Sequence, residues 1–335
     1  MKVLSLFDGI SCGMVALERA GIKVDKYTSY EIDENAIKIS RANYPQIEHK
    51  GDVFKAEYKQ GEYDLLIGGS PCTYWSIAKA GNGNTRETVS SGLGWDLFSQ
   101  YVRALHEVKP KYFLYENNES MSDNIKHEIT KQLGVEPIMI DSADFSAQVR
   151  KRYYWTNIPI DLNYEKSNSV IKDIIYDNNY KVKDFKKYKD TAKFVCGGKS
   201  IKWDTSGKGY YSQSNRATNK NVKMNAVITT QNHMNILLDN VSVKWDSSGK
   251  GHYSQQNRAR SPELKMNTVT ARGVDKCNIY LGDCNFRPIH PIEAERLQTL
   301  PDNYTNCLSS HGNRIKAIGN GWTVDVIAHI LKGLK

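Results

Sequence analysis

The stretch Asp64–Cys72, DLLIGGSPC, closes a short apolar run with two glycines and then places a proline directly before a cysteine. A short apolar run bounded by glycine is typical of a strand buried in a parallel sheet. The proline ring restricts the backbone that leads to Cys72. The sequence therefore predicts a buried strand whose carboxyl end carries a thiol.

Strand and helix patterns alternate on both sides of this stretch. The strand-like runs KVLSLF, YTSYEI and KYFLYE are each followed by helical spacing, in MVALERAG, ENAIKISRANYP and DNIKHEITKQLG, and VEPIMI is a further strand. A helix through LFSQYVRALHEVKP follows Cys72 after a loop. This alternation predicts an α/β fold with a doubly wound, mostly parallel sheet.

The alternation is interrupted at residues 78–94, AKAGNGNTRETVSSGLG, which contain four glycines and no periodicity. A long loop directly after Cys72 is interpreted as a mobile lid, with a disordered loop as the alternative. Helical patterns return after residue 285 in HPIEAERLQTL and TVDVIAHILKGL, joined through AIGNGW. We therefore expect residues 1–162 and 285–335 to form one catalytic domain around an insertion, residues 163–284.

The charge of the chain is concentrated in that insertion. The 335 residues carry a formal net charge of +9, but residues 163–285 hold 21 Lys and Arg against 11 Asp and Glu, a balance of +10. A basic segment of this kind favours a polyanion partner, most simply nucleic acid. The alternative is a solvated, lysine-rich surface.

The insertion contains a tandem repeat. Residues 200–230 align without gaps on residues 242–272, and 18 of the 31 positions are identical. Two copies are too few for a solenoid, so the pattern predicts a duplicated β-type unit in a smaller, β-rich domain. Both copies hold residue types that stack on bases or bind phosphates, although the aromatic ones can equally form the core of the unit: Trp203, Trp245, Tyr211, Tyr253, Arg216 and Arg258.

Acidic residues follow the first three predicted strands. Asp8 begins a glycine-containing turn, Glu31 ends the second strand, and Asp52 follows the third. A carboxylate at the second position can accept ribose hydroxyls, so the set indicates an adenosine-containing cofactor such as NAD or S-adenosylmethionine. Surface acids that cap helices are the alternative, and it fits Asp33 best.

The thiol at Cys72 distinguishes these two cofactors, because a dehydrogenase needs no nucleophile at that strand end. Glu116 ends the next strand, YFLYENN, and neighbouring strands would bring it beside Cys72. Gln148, Arg150 and Arg152 occupy alternate positions and would share one face of an extended segment. A thiol, an acid and two arginines at one sheet edge predict nucleophilic catalysis.

The remaining cysteines show no metal or disulfide pattern. None forms a C-x-x-C pair, and we interpret the other five as small buried hydrophobes: Cys12, Cys196, Cys277, Cys284 and Cys307. No metal site is predicted. The opening run is too short for a signal peptide and no apolar run reaches the length of a membrane span, so the sequence predicts a cytoplasmic protein that does not bind membranes.

The ordered set LFDGISCG, YEID, GDV, GGSPC, ENN, QVRKRYYW, PIEAERLQTLP and AIGNGW resembles the cytosine-5 DNA methyltransferase family. The resemblance covers nearly all of both flanking regions and implies a Rossmann-like domain, S-adenosylmethionine, a duplex DNA substrate and a bacterial or phage modification enzyme that acts as a monomer. Two residues depart from the family pattern: Thr73 replaces the usual glutamine and Asn118 the usual valine.

The resemblance also implies residue roles. Cys72 would attack carbon 6 of a flipped-out cytosine, Glu116 would bind ring nitrogen 3, and Arg150 and Arg152 would hold the base and a phosphate, while the loop 78–94 closes over the site. The residues implied for the cofactor site are Phe7, Asp8, Gly9, Glu31, Ile32, Asp52, Val53, Asn320 and Trp322.

DNA contacts are expected from Ser76 and Gln148 in the catalytic domain, and from repeat arginines that could read guanine edges, namely Arg216, Arg258, Arg260 and Arg272. The alternatives are a tRNA cytosine-5 methyltransferase, a non-catalytic DNA-binding relative and, more distantly, an NAD-dependent enzyme. The length of the basic insertion favours DNA over tRNA, and the intact Cys72, Glu116 and Arg152 favour an enzyme.

Overall fold

The main sheet is built by strands from the first half of the chain. A computed structural model describes residues 1–76, 86–177, 183–184, 193–196, 199–200, 241–244, 258–260, 262, 264–267, 278–282 and 285–334. The first eight strands are β1 (Lys2–Leu6), β2 (Lys26–Tyr30), β3 (Glu48–His49), β4 (Leu65–Gly68), β5 (Tyr112–Asn118), β6 (Ile138–Asp141), β7 (Gln148–Val149) and β8 (Lys151–Thr156).

Seven of these strands form the sheet in the order β3-β2-β1-β4-β5-β8-β6. Strands β1 to β5 are parallel, whereas β8 is antiparallel to both of its neighbours, β5 and β6. Residues 142–150 are too few for a helical crossover, so β8 returns in the opposite direction. The predicted doubly wound, mostly parallel, Rossmann-like α/β fold is confirmed, and the antiparallel strand is an addition to it.

Helices cover both faces of this sheet. They are α1 (Cys12–Arg19), α2 (Glu34–Asn43), α3 (Leu93–Val108), α4 (Asp123–Leu133), α5 (Ile171–Ile174), α6 (Pro291–Leu297), α7 (His311–Asn320) and α8 (Val324–Leu331). Strand side chains alternate between two cores: Val3 packs with α1, α2 and α8, whereas Leu4 packs with α3 and α4. This alternation follows from the two-residue period of a strand. Among the described residues, none of the helices combines the length and apolar character needed to cross a bilayer.

Close packing fixes the helix that follows β1. A Cβ on Gly13 would lie 2.4 Å from Ile67 Cδ1 and 2.8 Å from the Tyr27 hydroxyl. Glycine is therefore required where α1 crosses the strands. The next helix, α2, begins at Asp33, whose carboxylate accepts hydrogen bonds from the backbone N–H groups of Asn35 and Ala36. Asp33 is thus a helix cap, as its alternative interpretation held.

The end of the chain packs against its beginning. Helix α8 lies on α1, the Tyr304 hydroxyl donates to the carbonyl oxygen of Ile10 at 2.7 Å, and Arg19 pairs with Asp325 at 2.7 Å. These contacts bring the segment AIGNGW to the edge of the sheet that carries the turn after β1.

A second sheet is formed by strands between residues 183 and 288. Its strands are β9 (Lys183–Asp184), β10 (Lys193–Cys196), β11 (Lys199–Ser200), β12 (Val241–Lys244), β13 (Arg258–Arg260), β15 (Asn278–Gly282) and β16 (Asn285–Pro288). Strand β14 (Met266–Asn267) pairs instead with β7. Most of the first repeat copy, residues 201–230, lies outside the described residues. The sheet includes β16, which follows the expected boundary at residue 284.

Candidate active site

The candidate site lies at the carboxyl edge of the main sheet, where β1 and β4 are neighbours. In an open α/β sheet the strand order reverses at this point and leaves a crevice that binds ligands. The turn after β1 carries Phe7 and Gly9, and the turn after β4 carries Cys72. The topology therefore brings the predicted cofactor turn and the predicted nucleophile together.

The turn after β1 has an unusual backbone. Phe7, Gly9 and Ser11 have φ angles of 57°, 60° and 60°, in the left-handed region that non-glycine residues rarely adopt. The Asp8 carboxylate holds this turn, because it accepts hydrogen bonds from three hydroxyl groups, those of Ser5, Ser11 and Tyr27. The Asp8 side chain thus binds within its own turn. Phe7 is held in a strained backbone conformation, and such conformations are frequent at functional sites.

Glu31 connects the turn after β1 to the end of β2. Its Oε2 atom accepts from the Gly9 N–H at 2.8 Å, and its Oε1 atom accepts from the N–H groups of Ile32 and Asp33, also at 2.8 Å. Burial raises the pKa of Glu31, and the backbone donors partly oppose that change. The carboxylate is consequently fixed in orientation by the backbone.

An apolar side chain stands beside this carboxylate. Ile32 is 73% exposed and provides an apolar surface next to Glu31. Asp52 follows β3 and accepts from the Phe54 N–H at 3.0 Å, and Val53 is buried in the core. Glu31, Ile32 and Asp52 therefore lie at the strand ends of one edge. Two other expected cofactor residues do not face it with their side chains, because Val53 is buried in the core and the Asp8 carboxylate is bound within its own turn.

Cys72 begins a 3₁₀ turn, Cys72–Tyr74, directly after Pro71. Its thiol is free and half-buried, and its carbonyl oxygen accepts the Asn118 side-chain amide at 3.2 Å. The thiol of Cys12 differs, because it is buried in the core and burial raises its pKa to about 12. Of these two cysteines, Cys72 has the accessibility that a nucleophile needs.

The residue before Asn118 also holds the turn. The Asn117 amide donates to the carbonyl oxygen of Ser70 at 3.1 Å and to the Tyr115 hydroxyl at 3.1 Å. Asn117 is only 1% exposed. Sequence reasoning missed this role, although two asparagines at the end of a buried strand are the signal that could have revealed it, since buried polar groups require partners.

Glu116 receives a separate donor on each oxygen. Arg152 Nε lies 2.9 Å from Oε1, and Trp322 Nε1 donates to Oε2 at 2.9 Å. A Cβ on Gly69 would lie 2.9 Å from the Glu116 carbonyl oxygen and 2.9 Å from Oε2, so glycine allows the close approach of these two strand ends. The strand before Cys72, the strand β8 and the segment AIGNGW therefore meet at one carboxyl group.

Arg150 and Gln148 lie behind this site in a buried network. The Arg150 guanidinium donates to the carbonyl oxygens of Gly319 and Gly321, and Gln148 donates to Gln298 Oε1 at 3.3 Å. Burial, followed by the charge of Arg152, lowers the pKa of Arg150. Gln148 is fully buried, so the structure directs it to the protein interior, whereas it was expected at DNA. Sequence reasoning missed Gln298, which lies in the RLQ of the segment PIEAERLQTLP.

Comparison with known proteins bears on this geometry. A family model described as C-5 cytosine-specific DNA methylase matches residues 1–335. The chain belongs to this family.

Relatives of this methylase-family chain come from bacteria and their phages. It is 34% identical over 177 residues to the orphan methyltransferase M.SPRI of Bacillus phage SPR, which covers 48% of this chain and 38% of that protein. It is 30% identical over 201 residues to the type II methyltransferase M.NgoPII of Neisseria gonorrhoeae, with 53% and 57% covered. The matched part of the chain thus spans between about two fifths and three fifths of the length of these two relatives.

The fold is also found in a solved structure of low sequence identity. The structure of the Entamoeba histolytica methyltransferase EhMeth superposes with a TM-score of 0.61, covers 100% of this chain and 99% of that one, and is 14% identical. At this identity the likeness concerns the fold alone. The Rossmann-like architecture is therefore that of known methyltransferases.

The other expected residues of this family member are distributed as follows. Ser76 is half-buried and its backbone N–H donates to the Cys72 carbonyl oxygen at 3.0 Å. Asn320 is exposed at the end of α7. Arg258 and Arg260 belong to strand β13, whereas Arg216 and Arg272 lie outside the described residues.

The described end of the expected lid is attached to the rest of the domain. Residues 77–85 lie outside the described residues, but Arg86 donates to the carbonyl oxygen of Ser120 at 2.6 Å. The Glu87 carboxylate accepts the Gly94 N–H at 3.2 Å, at the start of α3. The helix begins at Leu93, earlier than the expected start at Leu97, because Glu87 satisfies a donor of its first turn.

Proposed function

We propose that the protein is a DNA (cytosine-5-)-methyltransferase. It transfers a methyl group from S-adenosylmethionine to carbon 5 of a flipped-out cytosine in a specific duplex DNA site, through a covalent adduct with Cys72. The observation that carries the proposal is the convergence of two strand ends. The Asn118 side chain donates to the Cys72 carbonyl oxygen, and the two oxygens of Glu116, on the same strand as Asn118, are held by Arg152 and Trp322.

The chemistry explains why these groups are needed together. Carbon 5 of cytosine is too weak a nucleophile to accept a methyl group directly. A Cys72 thiolate that adds to carbon 6 places electron density on carbon 5, and Glu116 at ring nitrogen 3 holds a proton there, which makes the addition feasible. Loss of the carbon-5 proton after methylation then restores the ring and expels Cys72.

Arg152 has two tasks in this scheme. Its Nε atom fixes the orientation of the Glu116 carboxylate, and its guanidinium adds positive charge where the base and the adjacent phosphate would lie. Arg150 is buried behind it and holds the segment Gly319–Trp322 in place through two backbone carbonyl groups. That segment in turn carries Trp322 to Glu116.

The residues at the ends of β2 and β3 have the chemical character that binding of S-adenosylmethionine requires. Glu31 is oriented by three backbone donors, as a group that accepts ribose hydroxyls must be, and the 73% exposed Ile32 offers an apolar surface for the adenine ring. Asp52 and Asn320 complete this edge. When bound, S-adenosylmethionine supplies the methyl group that carbon 5 receives.

The target base must leave the DNA stack to reach Cys72, at a cost of a few kcal/mol. The loop expected at residues 78–94, whose last two residues begin α3, would close over the extruded base. We assign target recognition to residues 163–284, because the positive charge of the chain and its tandem repeat lie there. Arg216, Arg258, Arg260 and Arg272 are the proposed base-reading residues, and the enzyme is proposed to act as a monomer in the cytoplasm of a bacterium or a phage-infected cell.

A methyl-transfer assay tests the proposal. Purified protein is incubated with methyl-labelled S-adenosylmethionine and either mixed-sequence duplex DNA or tRNA. We expect label in DNA as 5-methylcytosine, and none with Cys72→Ser. Label in tRNA alone would support a tRNA methyltransferase instead. An absence of transfer to either, with DNA still bound, would support a non-catalytic DNA-binding relative.

A further inference from the structure

Lys265, in the second repeat copy, is surrounded by backbone carbonyl groups. Its Nζ atom donates to the carbonyl oxygens of Ser169 at 2.8 Å, Ser146 at 3.0 Å and Ser167 at 3.3 Å. An ammonium group has three N–H donors and no acceptor, so each of these three carbonyls can accept one of its N–H groups. These N–H donors point to protein carbonyl groups, whereas a lysine that binds phosphate directs its donors to the solvent-facing ligand.

The three carbonyls belong to two separate segments. Ser146 lies just before β7, whereas Ser167 and Ser169 lie where the chain leaves the main sheet towards the second one. Lys265 itself lies on the return path. The Lys265 ammonium group therefore connects three segments: residues 167–169, residues 264–267 and the start of β7.

Backbone pairing surrounds this junction. The Met266 N–H donates to the carbonyl oxygen of Ala147 at 2.7 Å, and β14 pairs in parallel with β7. The N–H groups of Ile171 and Lys172 donate to the carbonyl oxygens of Leu264 and Pro262. Met266 is 1% exposed and packs in the core formed by α5, α6 and α7.

The junction is continuous with the candidate active site. Strand β7 leads through Arg150 into β8, where Arg152 contacts Glu116 at 2.9 Å. A shift of β7 would therefore move the arginine that orients Glu116. Misplacement by about 1 Å can reduce a rate about a hundredfold, so the register of this strand matters for catalysis.

We propose that Lys265 is a positioning residue, which locks the second repeat copy to β7 and thereby sets the orientation of the recognition segment relative to Cys72 and Glu116. It does not act as a phosphate contact. This inference rests on the proposed DNA methyltransferase function. The Lys265 side chain is half-buried, and burial lowers its pKa.

Two substitutions separate a positioning role from a charge role. Lys265→Met removes the three donors and keeps an apolar chain of similar length. Lys265→Arg keeps the charge, but a planar guanidinium cannot direct its donors as a tetrahedral ammonium does. Lys166→Met is the matched control. Lys166 lies one residue before Ser167, its side chain is 69% exposed, and it forms an ion pair with Asp144 at 3.1 Å.

Three readouts are compared: kcat, the Kd for duplex DNA with its salt dependence, and backbone amide exchange at residues 264–267. We expect both Lys265 variants to lower kcat about tenfold to a hundredfold, with Kd and salt dependence unchanged. Amide exchange at Met266 is expected to be faster in both variants. Lys166→Met should behave as the unmodified protein does.

The opposite pattern would overturn the proposal. If Lys265→Met weakens DNA binding and reduces the salt slope by about one, while Lys265→Arg restores both and kcat is unchanged, then Lys265 is a phosphate contact. Unchanged amide exchange at Met266 would also contradict the lock. Amide exchange reports on the junction even if the unmodified protein transfers no methyl group. A lack of methyl transfer by the unmodified protein would refute the proposed function and not the role of Lys265.

Discussion

Two glutamates at the same sheet edge are held in different ways. Glu31, at the end of β2, is oriented by three backbone N–H groups, two of which come from the two residues that follow it. Glu116, at the end of β5, is oriented by two side chains from distant parts of the chain, Arg152 and Trp322. The edge proposed to bind the cofactor is therefore built mainly by local backbone, and the edge proposed to carry the catalytic groups by long-range side-chain contacts. We call them the cofactor edge and the catalytic edge.

This difference has a consequence for mutation. Backbone donors cannot be removed by changing a side chain, so the cofactor edge should tolerate substitutions around Glu31. The catalytic edge should not, because each donor to Glu116 can be deleted singly. The two edges should also fail differently, in cofactor affinity on one side and in turnover on the other.

The largest effect is expected from Glu116→Gln. The substitution keeps the shape of the side chain but removes the acid that is proposed to hold a proton at ring nitrogen 3. We expect kcat at saturating cofactor and DNA to fall about 100- to 10,000-fold. Steady-state methyl transfer measures it, with Glu119→Gln as control, since Glu119 is exposed on the same segment. A loss of less than twofold would remove Glu116 from the chemistry.

Trp322→Phe should have the next largest effect. It retains an aromatic ring but deletes the N–H donor to Glu116 Oε2. A hydrogen bond to a charged group contributes about 1.5–3 kcal/mol, so kcat should fall about ten- to a hundredfold. Trp95→Phe, on α3, is the control for loss of an indole elsewhere. A rise in the cofactor Kd with kcat unchanged would assign Trp322 to the cofactor edge alone.

Glu31→Gln should raise the Kd for S-adenosylmethionine about tenfold and leave saturated kcat unchanged, because the amide can accept fewer hydroxyl donors. Burial raises the pKa of Glu31, and the carboxylate is the form that accepts ribose hydroxyls. Cofactor affinity should therefore decline, as pH falls, at a pH above the ordinary glutamate value of about 4.3. Titration calorimetry at several pH values measures both effects.

The raised pKa of Glu31 also makes the free energy of unfolding depend on pH. A raised pKa means that folding favours the protonated acid, so Glu31 lowers the free energy of unfolding as pH rises through its ordinary and then its raised value. Glu31→Gln should remove this contribution together with the pH dependence of cofactor binding. If stability and cofactor affinity depend on pH in the variant as they do in the unmodified protein, a group other than Glu31 is responsible for that dependence.

The smallest effect is expected from Asn118→Val, which introduces the residue usual in the family. It deletes the amide donor to the Cys72 carbonyl, a bond of about 1 kcal/mol, so kcat should fall about fivefold with the cofactor Kd unchanged. Ser120→Ala is the control, because it removes only a contact to Asn118 Oδ1. An unchanged kcat in Asn118→Val would show that the turn is held without this amide.

The sequence allowed the sheet and part of this site to be predicted. Apolar runs and helical spacing indicated β1, β2, β4, β5, β6 and α1 to α4. Because neighbouring parallel strands end at one edge, Cys72 and Glu116 were expected together. The contact between Glu116 and Trp322 joins residues 206 positions apart, and no local pattern encodes it.

Gln148 shows where periodicity stops being informative. Alternate residues of one strand share a face, so Gln148 was expected beside Arg152. The strand changes partners at Arg150, however: Gln148 pairs with Met266 in β14, and Arg152 pairs with Asn118 in β5. An alternation rule holds only within one strand, and the position of this break depends on residues from the far end of the chain.

The most direct test of the central claim is a covalent trap. Mixed-sequence duplex DNA containing 5-fluorocytosine is methylated with S-adenosylmethionine, because fluorine at carbon 5 cannot leave as a proton does and the thiol is then not expelled. We expect a stable protein–DNA adduct, and peptide mass spectrometry should find the nucleotide on Cys72. An adduct on another residue, or methyl transfer to normal DNA with no adduct on the fluorinated duplex, would contradict the account.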